Sequence, residues 1–329
     1  MKPGKVPPNL LESLVYSHLG ARRPDVLVRP RVGEDCAVID FGEWSAVITA
    51  DPVTGAHRRL GWYAVHVACN DLATTGAEPV ALLLTLLLTD RTTKLELEQI
   101  MRDAGAAAAG LGVEIVGGHT EVTPGIDHSM AAVTALGKAP KGKALRAGGA
   151  RPGDALLLTK GAGIEGTAIL AADLVDRLGG RVDEATLARA RGFIDRISVV
   201  PEGRIAAHAG ANAMHDVTEG GVLSGAWELA EAAGIGVELW ADEVRVEPET
   251  QTICRALEVD PLALISSGAM LIAAPDTKRV LQALENAGIP VRQIGVMTTR
   301  ERVVVRGGSR VPLVPPDRDE MWRLLDVRR

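Results

Sequence analysis

Hydrophobic runs of strand length alternate with segments of helical spacing along most of this chain. In Leu60–Gly76 the apolar positions mix helical spacing with small residues and stop at a glycine, which predicts a helix. Ala81–Thr89 is a nearly unbroken leucine run, typical of a buried strand. Lys94–Leu111 then predicts a second helix with Gly112 as its C-cap, and Val113–Val116 the next strand. The pattern therefore predicts helices packed on a sheet.

The second half restarts the same alternation after residues 138–153, whose Gly, Pro, Lys and Arg content with little periodicity is typical of a linker. We place the domain boundary there, giving domains 1–140 and 141–329. The 329 residues, 47% of them hydrophobic, suit two cores. Predicted strands are 155–159, 236–240, 270–274 and 292–296, with a hairpin at 303–314; predicted helices are 9–19, 167–178, 184–197, 202–209, 222–233, 249–257, 277–287 and 317–325.

Charge and cysteine content narrow the class of protein. A net charge of −6 argues against a nucleic-acid binder, which neutralises phosphates with Lys and Arg. Cys36, Cys69 and Cys254 are widely spaced and odd in number, so the sequence indicates neither a disulfide framework nor a zinc site. Met1–Leu10 has no apolar signal core, and no apolar run is long enough to span a bilayer. We expect a soluble, cytoplasmic protein.

Four carboxylates stand out by position. Asp71 lies inside the apolar pattern of the first helix, where an ionised group needs a cation or a hydrogen-bond donor. Asp35 precedes a strand, Asp51 is expected at a strand end before Pro52, and Glu121 follows another strand. Clustered acids would repel a phosphate unless Mg²⁺ lay between them. For any one of them alone, a turn or cap is the competing interpretation.

Two glycine-rich segments suggest anion binding. Gly117-Gly118 before His119-Thr120 lets backbone N–H groups approach an anion, although a plain turn and a structural histidine also account for it. Gly161–Gly166 has the spacing of a dinucleotide fingerprint between a strand and a helix. The acids at the expected distance, Asp183 and Glu184, follow no credible second strand. A phosphate-facing or structural turn is therefore favoured over NAD binding.

Several of these segments together carry a family resemblance. In order and spacing they resemble the aminoimidazole ribonucleotide (AIR) synthetase superfamily, which includes AIR synthetase, thiamine-monophosphate kinase, selenophosphate synthetase and HypE. The general likeness is greatest to HypE, and it covers nearly the whole chain. The matching segments are Gly33-Glu34-Asp35-Cys36-Ala37-Val38, Thr49-Ala50-Asp51, the run from Asn70 to Pro79, Gly117-Gly118-His119-Thr120 and Asp216-Val217-Thr218-Glu219-Gly220-Gly221.

The resemblance implies a two-domain α/β fold, with an N-terminal mixed sheet that forms a joint barrel in a homodimer and a C-terminal α/β sandwich. It implies ATP and Mg²⁺ as cofactors. Asp35, Asp51 and Asp71 would hold Mg²⁺, with Glu121 as a fourth carboxylate. The residues implied to line the triphosphate are Asn70, Gly117, Gly118, His119 and Thr120, and those facing it from the second domain are Asp216, Thr218, Gly220 and Gly221.

Departures from each named activity leave the acceptor open. HypE ends in a cysteine tail, whereas this chain has no cysteine after Cys254, and Ser266-Ser267-Gly268 stands where HypE has a Glu-Gly pair. Thiamine-monophosphate kinases usually carry Asp where His119 stands. We expect an ATP- and Mg²⁺-dependent enzyme transferring a phosphoryl group to, or activating an oxygen of, a small or carbamoyl-type substrate. Alternatives are a kinase like that of thiamine monophosphate, or a non-catalytic nucleotide-binding accessory serving a partner protein in metallocentre maturation.

Overall fold

The computed structural model describes residues 5–54 and 58–325. It contains two β-sheets, one in each half of the chain, with helices packed against them. The expected α/β fold with two sheets is thereby confirmed. Among the described residues, no helix combines the length and the apolar character needed to cross a membrane.

The N-terminal sheet has six strands in the order β1-β2-β3-β6-β4-β5. β4 and β5 pair in parallel, and the other neighbours pair antiparallel. The strands are β1 (Val26–Val28), β2 (Ala37–Phe41), β3 (Trp44–Val53), β4 (Glu78–Leu88), β5 (Glu114–Val122) and β6 (Met130–Pro140).

Two long helices cover one face of this sheet, α2 (Leu60–Thr74) and α3 (Lys94–Leu111). α3 has the predicted bounds because Thr93 and Glu96 form a capping box at its start and Gly112 ends it in the left-handed conformation. The N-terminal segment instead breaks into α1 (Pro8–Leu10), a π-turn and a 3₁₀-turn, so the single helix predicted at 9–19 is wrong in detail.

The other face of the N-terminal sheet is partly exposed to solvent along β4. Alternate residues of β4 point to the two faces, so Leu82 is buried against the helices while Leu83 is 47% exposed. Leu136 on β6 lies on the exposed side as well, opposite Ala81. This open sheet face comprises Ala81, Leu83, Thr85 and Leu87, their partners on β5 and β6, and the β3 residues opposite β6. It is mainly apolar along β4 and polar along β5.

The C-terminal sheet has seven strands in the order β13-β12-β9-β11-β7-β10-β8, antiparallel except for β12 with β9. Its central strands are buried on both faces. The strands are β7 (Ala155–Thr159), β8 (Ala213–Asp216), β9 (Gly236–Trp240), β10 (Met270–Ala274), β11 (Val291–Thr298), β12 (Arg302–Arg306) and β13 (Ser309–Pro312). The helices are α4 (Ile164–Asp173), α5 (Val175–Leu178), α6 (Glu184–Arg191), α7 (Val200–His208), α8 (Gly221–Ala233), α9 (Pro248–Leu257), α10 (Thr277–Asn286) and α11 (Glu320–Leu325).

Helix α2 joins the two halves. Thirteen of its 15 residues are buried, because it packs on the N-terminal sheet on one side and on α7 and β8 on the other. Leu72 and Ala73 of this helix share a hydrophobic core with Leu157 and Ile272 of the C-terminal sheet. The Trp62 indole also donates a hydrogen bond to the Ile194 carbonyl, 3.1 Å away.

Two predicted strand ends are wrong. β3 continues through Asp51 and Pro52 to Val53, still paired with β6. The ladder tolerates Pro52 because β2 pairs with β3 only as far as Ile48, which leaves an open side where a missing N–H is harmless. β5 likewise continues beyond Val116 through the Gly117–Val122 segment, paired with β4, so that segment is an edge strand and not a loop.

Candidate active site between the two sheets

A cavity of about 1070 Å³ lies where the N-terminal segment, the N-terminal sheet and the C-terminal half meet. Its lining is rich in carboxylates contributed by all of these parts. The acidic residues that line it are Glu34, Asp35, Asp51, Asp71, Glu165, Asp216, Glu219 and Glu228.

Asp35 is positioned by the loop that precedes β2. Gly33 in this loop has φ +80° and lies so close to α8 that a Cβ would collide with the backbone oxygen of Glu228. The Glu34 carboxylate accepts hydrogen bonds from the backbone N–H groups of Ala147 (3.2 Å) and Gly148 (3.1 Å). These contacts hold the loop against the C-terminal half and direct Asp35 into the cavity.

Asp71 and Asp51 approach from α2 and β3. The Thr49 hydroxyl donates a 2.5 Å hydrogen bond to Asp71 Oδ2. Burial and the neighbouring Asp51, Asp216 and Asp35 raise the pKa of Asp71 well above its usual value. Burial, followed by Asp216, also raises the pKa of Asp51. These carboxylates therefore destabilise one another's ionised forms.

The fourth aspartate, Asp216, ends β8 at the edge of the C-terminal sheet, next to His215. Burial raises the pKa of Asp35 to about 7, and Asp216 adds to the rise while His215 opposes it. Burial alone would lower the pKa of His215, but Asp35 and Glu228 outweigh it and raise that pKa. Lys5 and His215 overcome the burial of Glu228 and lower its pKa to about 2.

Divalent-cation binding fits these donors. Within the described residues, no lysine or arginine forms an ion pair with Asp35, Asp51, Asp71 or Asp216. One oxygen each of Asp35 and Asp216 is buried without a hydrogen-bond partner. Such carboxylates, with His215 as the basic neighbour of Asp35 and Asp216, are costly to bury as a group unless they coordinate a metal, and Mg²⁺ prefers oxygen ligands of this kind.

Thr218 lines the cavity, whereas Gly220 and Gly221 shape the turn that starts α8. The Gly220 N–H donates a 2.6 Å hydrogen bond to Asp319 Oδ2, and φ is +83° there. A Cβ on Gly220 would collide with the Ser224 side chain. The turn at the start of α8 thus accounts for the presence of the two glycines, and neither lines the cavity.

Asn70 lies next to Asp71 but does not line the cavity. It is fully buried, and its amide spans the two halves of the chain. Nδ2 donates to the Ile197 carbonyl (2.7 Å), and Oδ1 accepts from the Val199 N–H (2.8 Å). Both of its polar atoms are therefore occupied by backbone, which gives Asn70 a docking role in the structure.

The segment Gly117, Gly118, His119, Thr120 and Glu121 also lies apart from the acidic cavity of its own chain. It forms the exposed edge strand β5, and His119 Nε2 is 3.1 Å from Glu121 Oε2. His119 pairs with Thr85 and Glu121 with Leu87, so both side chains lie on the open sheet face.

Four further polar residues of the cavity were not identified from the sequence: Lys5, Glu165, His215 and Glu228. Lys5 Nζ lies 3.7 Å from Glu228 Oε1. Burial raises the pKa of Glu165 to about 7, against hydrogen bonding from Ser267. Glu165 stands within the glycine-rich turn and His215 directly before Asp216. Their position next to those motifs was the only indication in the sequence that Glu165 and His215 belong to the site. Nothing in the sequence indicated Glu228.

The glycine turn at Gly161–Gly166 lacks the surroundings of a dinucleotide site. The strand before it, β7, has only antiparallel neighbours, whereas the fingerprint belongs to parallel βαβ units. Asp183 caps α6 by accepting a hydrogen bond from the Thr186 N–H. Gly166 instead permits close packing on Leu264. The turn is accounted for by packing.

Comparison with protein-family models gives matches to both halves. The AIR synthase related protein N-terminal domain matches residues 33–139, and the corresponding C-terminal domain matches residues 151–308. The chain is 29% identical over 314 residues to a putative hydrogenase expression/formation protein of Methanocaldococcus jannaschii, covering 92% of this chain and 90% of that protein. It is 30% identical over 268 residues to the carbamoyl dehydratase HypE of Azotobacter vinelandii, covering 77% and 75%.

Solved structures share the fold. A HypE–HypF complex superimposes with a TM-score of 0.77 at 20% identity, over 93% of this chain and 99% of that chain. The hydrogenase maturation protein HypE in complex with ATP superimposes with a TM-score of 0.73 at 22% identity, over 95% and 96%. At these identities the likeness establishes the two-domain architecture.

Proposed function

Because the chain belongs to the AIR synthase related family, we propose that it is an ATP- and Mg²⁺-dependent enzyme that transfers a phosphoryl group to, or activates, an oxygen of a small substrate. One observation carries the proposal: four aspartates, Asp35, Asp51, Asp71 and Asp216, converge on one cavity between the two halves, and none of them pairs with a lysine or arginine of residues 5–54 and 58–325. The relatives named carbamoyl dehydratase, and the HypE structure with ATP, support this class of reaction.

The electrostatics favour metal and nucleotide together. The four carboxylates repel a triphosphate on their own. Burial and neighbouring acids raise the pKa values of Asp35, Asp51 and Asp71, even though His215 and Lys5 oppose part of that rise. When bound, Mg²⁺ supplies charge neutralisation to both the carboxylates and the phosphates. The aspartates hold the ions in fixed positions, and the buried setting strengthens their electrostatic effect.

The C-terminal side of the cavity provides a group suited to the acceptor. Glu165 is 6% exposed, one of its oxygens has no hydrogen-bond partner, and its pKa lies near 7. A carboxylate of that pKa takes a proton from a substrate hydroxyl efficiently at neutral pH. We assign it the role of general base toward a small or carbamoyl-type acceptor.

We further propose that two copies pair through the open sheet face. Its apolar residues, among them Leu83 and Leu136, need cover from water. His119 and Glu121 lie on the same face, and so does Ile48, which borders the cavity. In such a homodimer the Gly117–Glu121 segment of one copy would meet the cavity of the other, which is how those residues would reach the nucleotide.

For the biological setting, we propose that the protein acts with a partner protein in the maturation of a metallocentre. It is supported by a relative named as a hydrogenase expression/formation protein and by the HypE–HypF complex. The identity of the acceptor then follows from which compound stimulates ADP release. Carbamoyl phosphate, carbamoylated peptides, thiamine phosphate, ribonucleotides and selenide are the compounds to compare.

The test of the metal and nucleotide site is Asp71→Asn. The change keeps the shape and the hydrogen bond from Thr49 but removes the charge, so Mg²⁺-ATP affinity should fall steeply. Because no Lys or Arg among residues 5–54 and 58–325 pairs with Asp71, we expect no partner charge to be stranded and no fall in the melting temperature. The exposed Asp90→Asn is the charge-matched control. Unchanged affinity, or equal ATP affinity in excess EDTA, would refute the metal-bridged nucleotide.

The test of the dimer is Leu83→Glu. A charge in the centre of the open sheet face should reduce the sedimentation mass from twice the chain mass to the 34.6 kDa of one chain. Leu95→Glu is the matched control, because Leu95 is 71% exposed on α3 and lies away from that face. A wild-type mass of 34.6 kDa at micromolar concentration would overturn the pairing.

A further inference from the structure

His215 is a polar side chain that the proposed reaction leaves without a role. It is 2% exposed on β8, and neither ring nitrogen makes an aligned hydrogen bond. Nδ1 lies 3.6 Å from Asp35 Oδ1 and 3.8 Å from Asp216 Oδ1. These separations are too long for hydrogen bonds. The three residues nevertheless present donor atoms that all lie within 4.8 Å of one another.

Such separations are close to those of ligands around one metal ion. Imidazole nitrogen and carboxylate oxygen bind divalent metals at about 2.0–2.2 Å, so two donors at a tetrahedral angle lie roughly 3.4 Å apart. The observed 3.6 and 3.8 Å need to close by only a few tenths of an ångström. The Asp35 and Asp216 donor oxygens lie within 4.8 Å of each other, so an ion that joins all three donors draws these two carboxylates together as well.

The opposite side of the ring has the partner that a metal-binding histidine requires. Nε2 lies 3.2 Å from Glu228 Oε2, and Lys5 lies 3.7 Å from the other Glu228 oxygen. A carboxylate beside one ring nitrogen supports the tautomer in which the other nitrogen binds the ion, and the ion displaces the proton from that nitrogen. Here that nitrogen is Nδ1, which faces Asp35 and Asp216.

We infer that His215, Asp35 and Asp216 form a mixed nitrogen–oxygen site for a first-row transition-metal dication, distinct in preference from the all-oxygen pair Asp51 and Asp71. The inference rests on the proposed function for the role of this ion beside the nucleotide, although its binding requires no nucleotide. Imidazole suits Fe²⁺, Ni²⁺, Cu²⁺ and Zn²⁺, whereas Mg²⁺ prefers oxygen donors; Mn²⁺, which carboxylates bind well, serves as the paramagnetic probe of the mixed site. The competing explanation is that His215 serves only as an internal cation among the acids.

The test uses the full chain and Mn²⁺ without nucleotide. Electron paramagnetic resonance titration gives the affinity, and electron spin-echo modulation detects a coordinated ¹⁴N nucleus. We expect ¹⁴N coupling in the wild type, its loss in folded His215→Gln, and its retention in His208→Gln, which changes an exposed histidine on α7. Wild-type protein that binds Mn²⁺ without ¹⁴N coupling, or that binds no Mn²⁺, would overturn the inference, as would coupling that persists in His215→Gln.

A second variant covers the case in which His215→Gln fails to fold. Glu228→Gln keeps the imidazole but weakens its carboxylate support, so Mn²⁺ affinity should fall by roughly 10–100-fold with ¹⁴N coupling retained. Unchanged affinity would overturn the arrangement. Calorimetric titration of the wild type with Mg²⁺-ATP separates the two proposals. If the protein binds no nucleotide but the ¹⁴N coupling is present, only the proposed function is refuted. Normal nucleotide binding without that coupling refutes the present inference alone.

Discussion

Replacing Asn70 with alanine should destabilise the fold rather than weaken nucleotide binding directly. The fully buried amide bonds the carbonyl of Ile197 and the N–H of Val199, so the change leaves two buried backbone groups without partners. Each such group costs about 1–3 kcal/mol, which gives a loss of about 2–6 kcal/mol in the free energy of unfolding. Whole domains are stable by only about 5–15 kcal/mol, so the effect should be large.

Urea unfolding followed by circular dichroism measures this loss, and calorimetry at a temperature where the variant is folded measures Mg²⁺-ATP affinity. Thr74→Ala is the matched control on the same helix. Thr74 is also buried, but its hydroxyl donates its hydrogen bond to the Asp71 carbonyl within α2, 2.8 Å away. It should cost only about 1 kcal/mol.

The docking role of Asn70 has a clear refutation. If Asn70→Ala unfolds at the same urea concentration as the wild type but binds Mg²⁺-ATP much more weakly, the amide contacts the nucleotide and not the backbone of the other half. If stability falls while affinity among the folded molecules stays intact, the role implied by the family resemblance does not apply to this residue.

Three further changes test other parts of the structure. Burial, with Lys160 and Arg59, lowers the pKa of His66 to about 4, so as the pH falls the unfolded chain binds a proton at this residue before the folded chain does. The free energy of unfolding measured by urea titration should therefore fall by about 3 kcal/mol between pH 6.5 and 4. His66→Leu should not show this loss. Gly33→Ala should destabilise by at least about 1 kcal/mol more than Gly42→Ala in thermal melts, because both have similar positive φ but only Gly33 abuts α8; equal losses contradict this. Glu165→Gln should lower kcat by about 10²–10⁴-fold and remove a rise in rate through pH 7 with ATP affinity unchanged, and an unaltered pH profile excludes the base role.

Local signals were sufficient for several elements. α3, β7, β9 and β10 have the bounds that the hydrophobic pattern predicts. In α3 the reason is visible at both ends, in the capping box of Thr93 and Glu96 and in Gly112. β5 was cut short because a glycine pair usually marks a turn, yet pairing with β4 carries the strand through it. Tertiary pairing overrode local propensity at that point.

The candidate site likewise contains residues that the sequence predicted and residues that only the packing reveals. The family resemblance predicted that Asp35, Asp51 and Asp71 lie close together. Their wide separation along the chain gives no indication of this by itself. Asn70 and Asp71 gave the same local signal, a polar residue inside an apolar helix, and only packing shows that they face different partners. Glu228 carried no signal because an acid on an amphipathic helix is ordinarily solvated.

Adjacent residues on a helix point about 100° apart, so Asn70 and Asp71 of α2 face different surroundings. Asn70 fastens the helix to the C-terminal half, and the same docking brings Asp71 toward Asp216. Joining the halves therefore forces carboxylates together, which opposes folding through their repulsion. The proposed divalent ion would offset that repulsion, since at 100 times its Kd a ligand specific to the folded state adds about 2.7 kcal/mol. We therefore expect the proposed metal binding and the closing of the two halves to be thermodynamically linked.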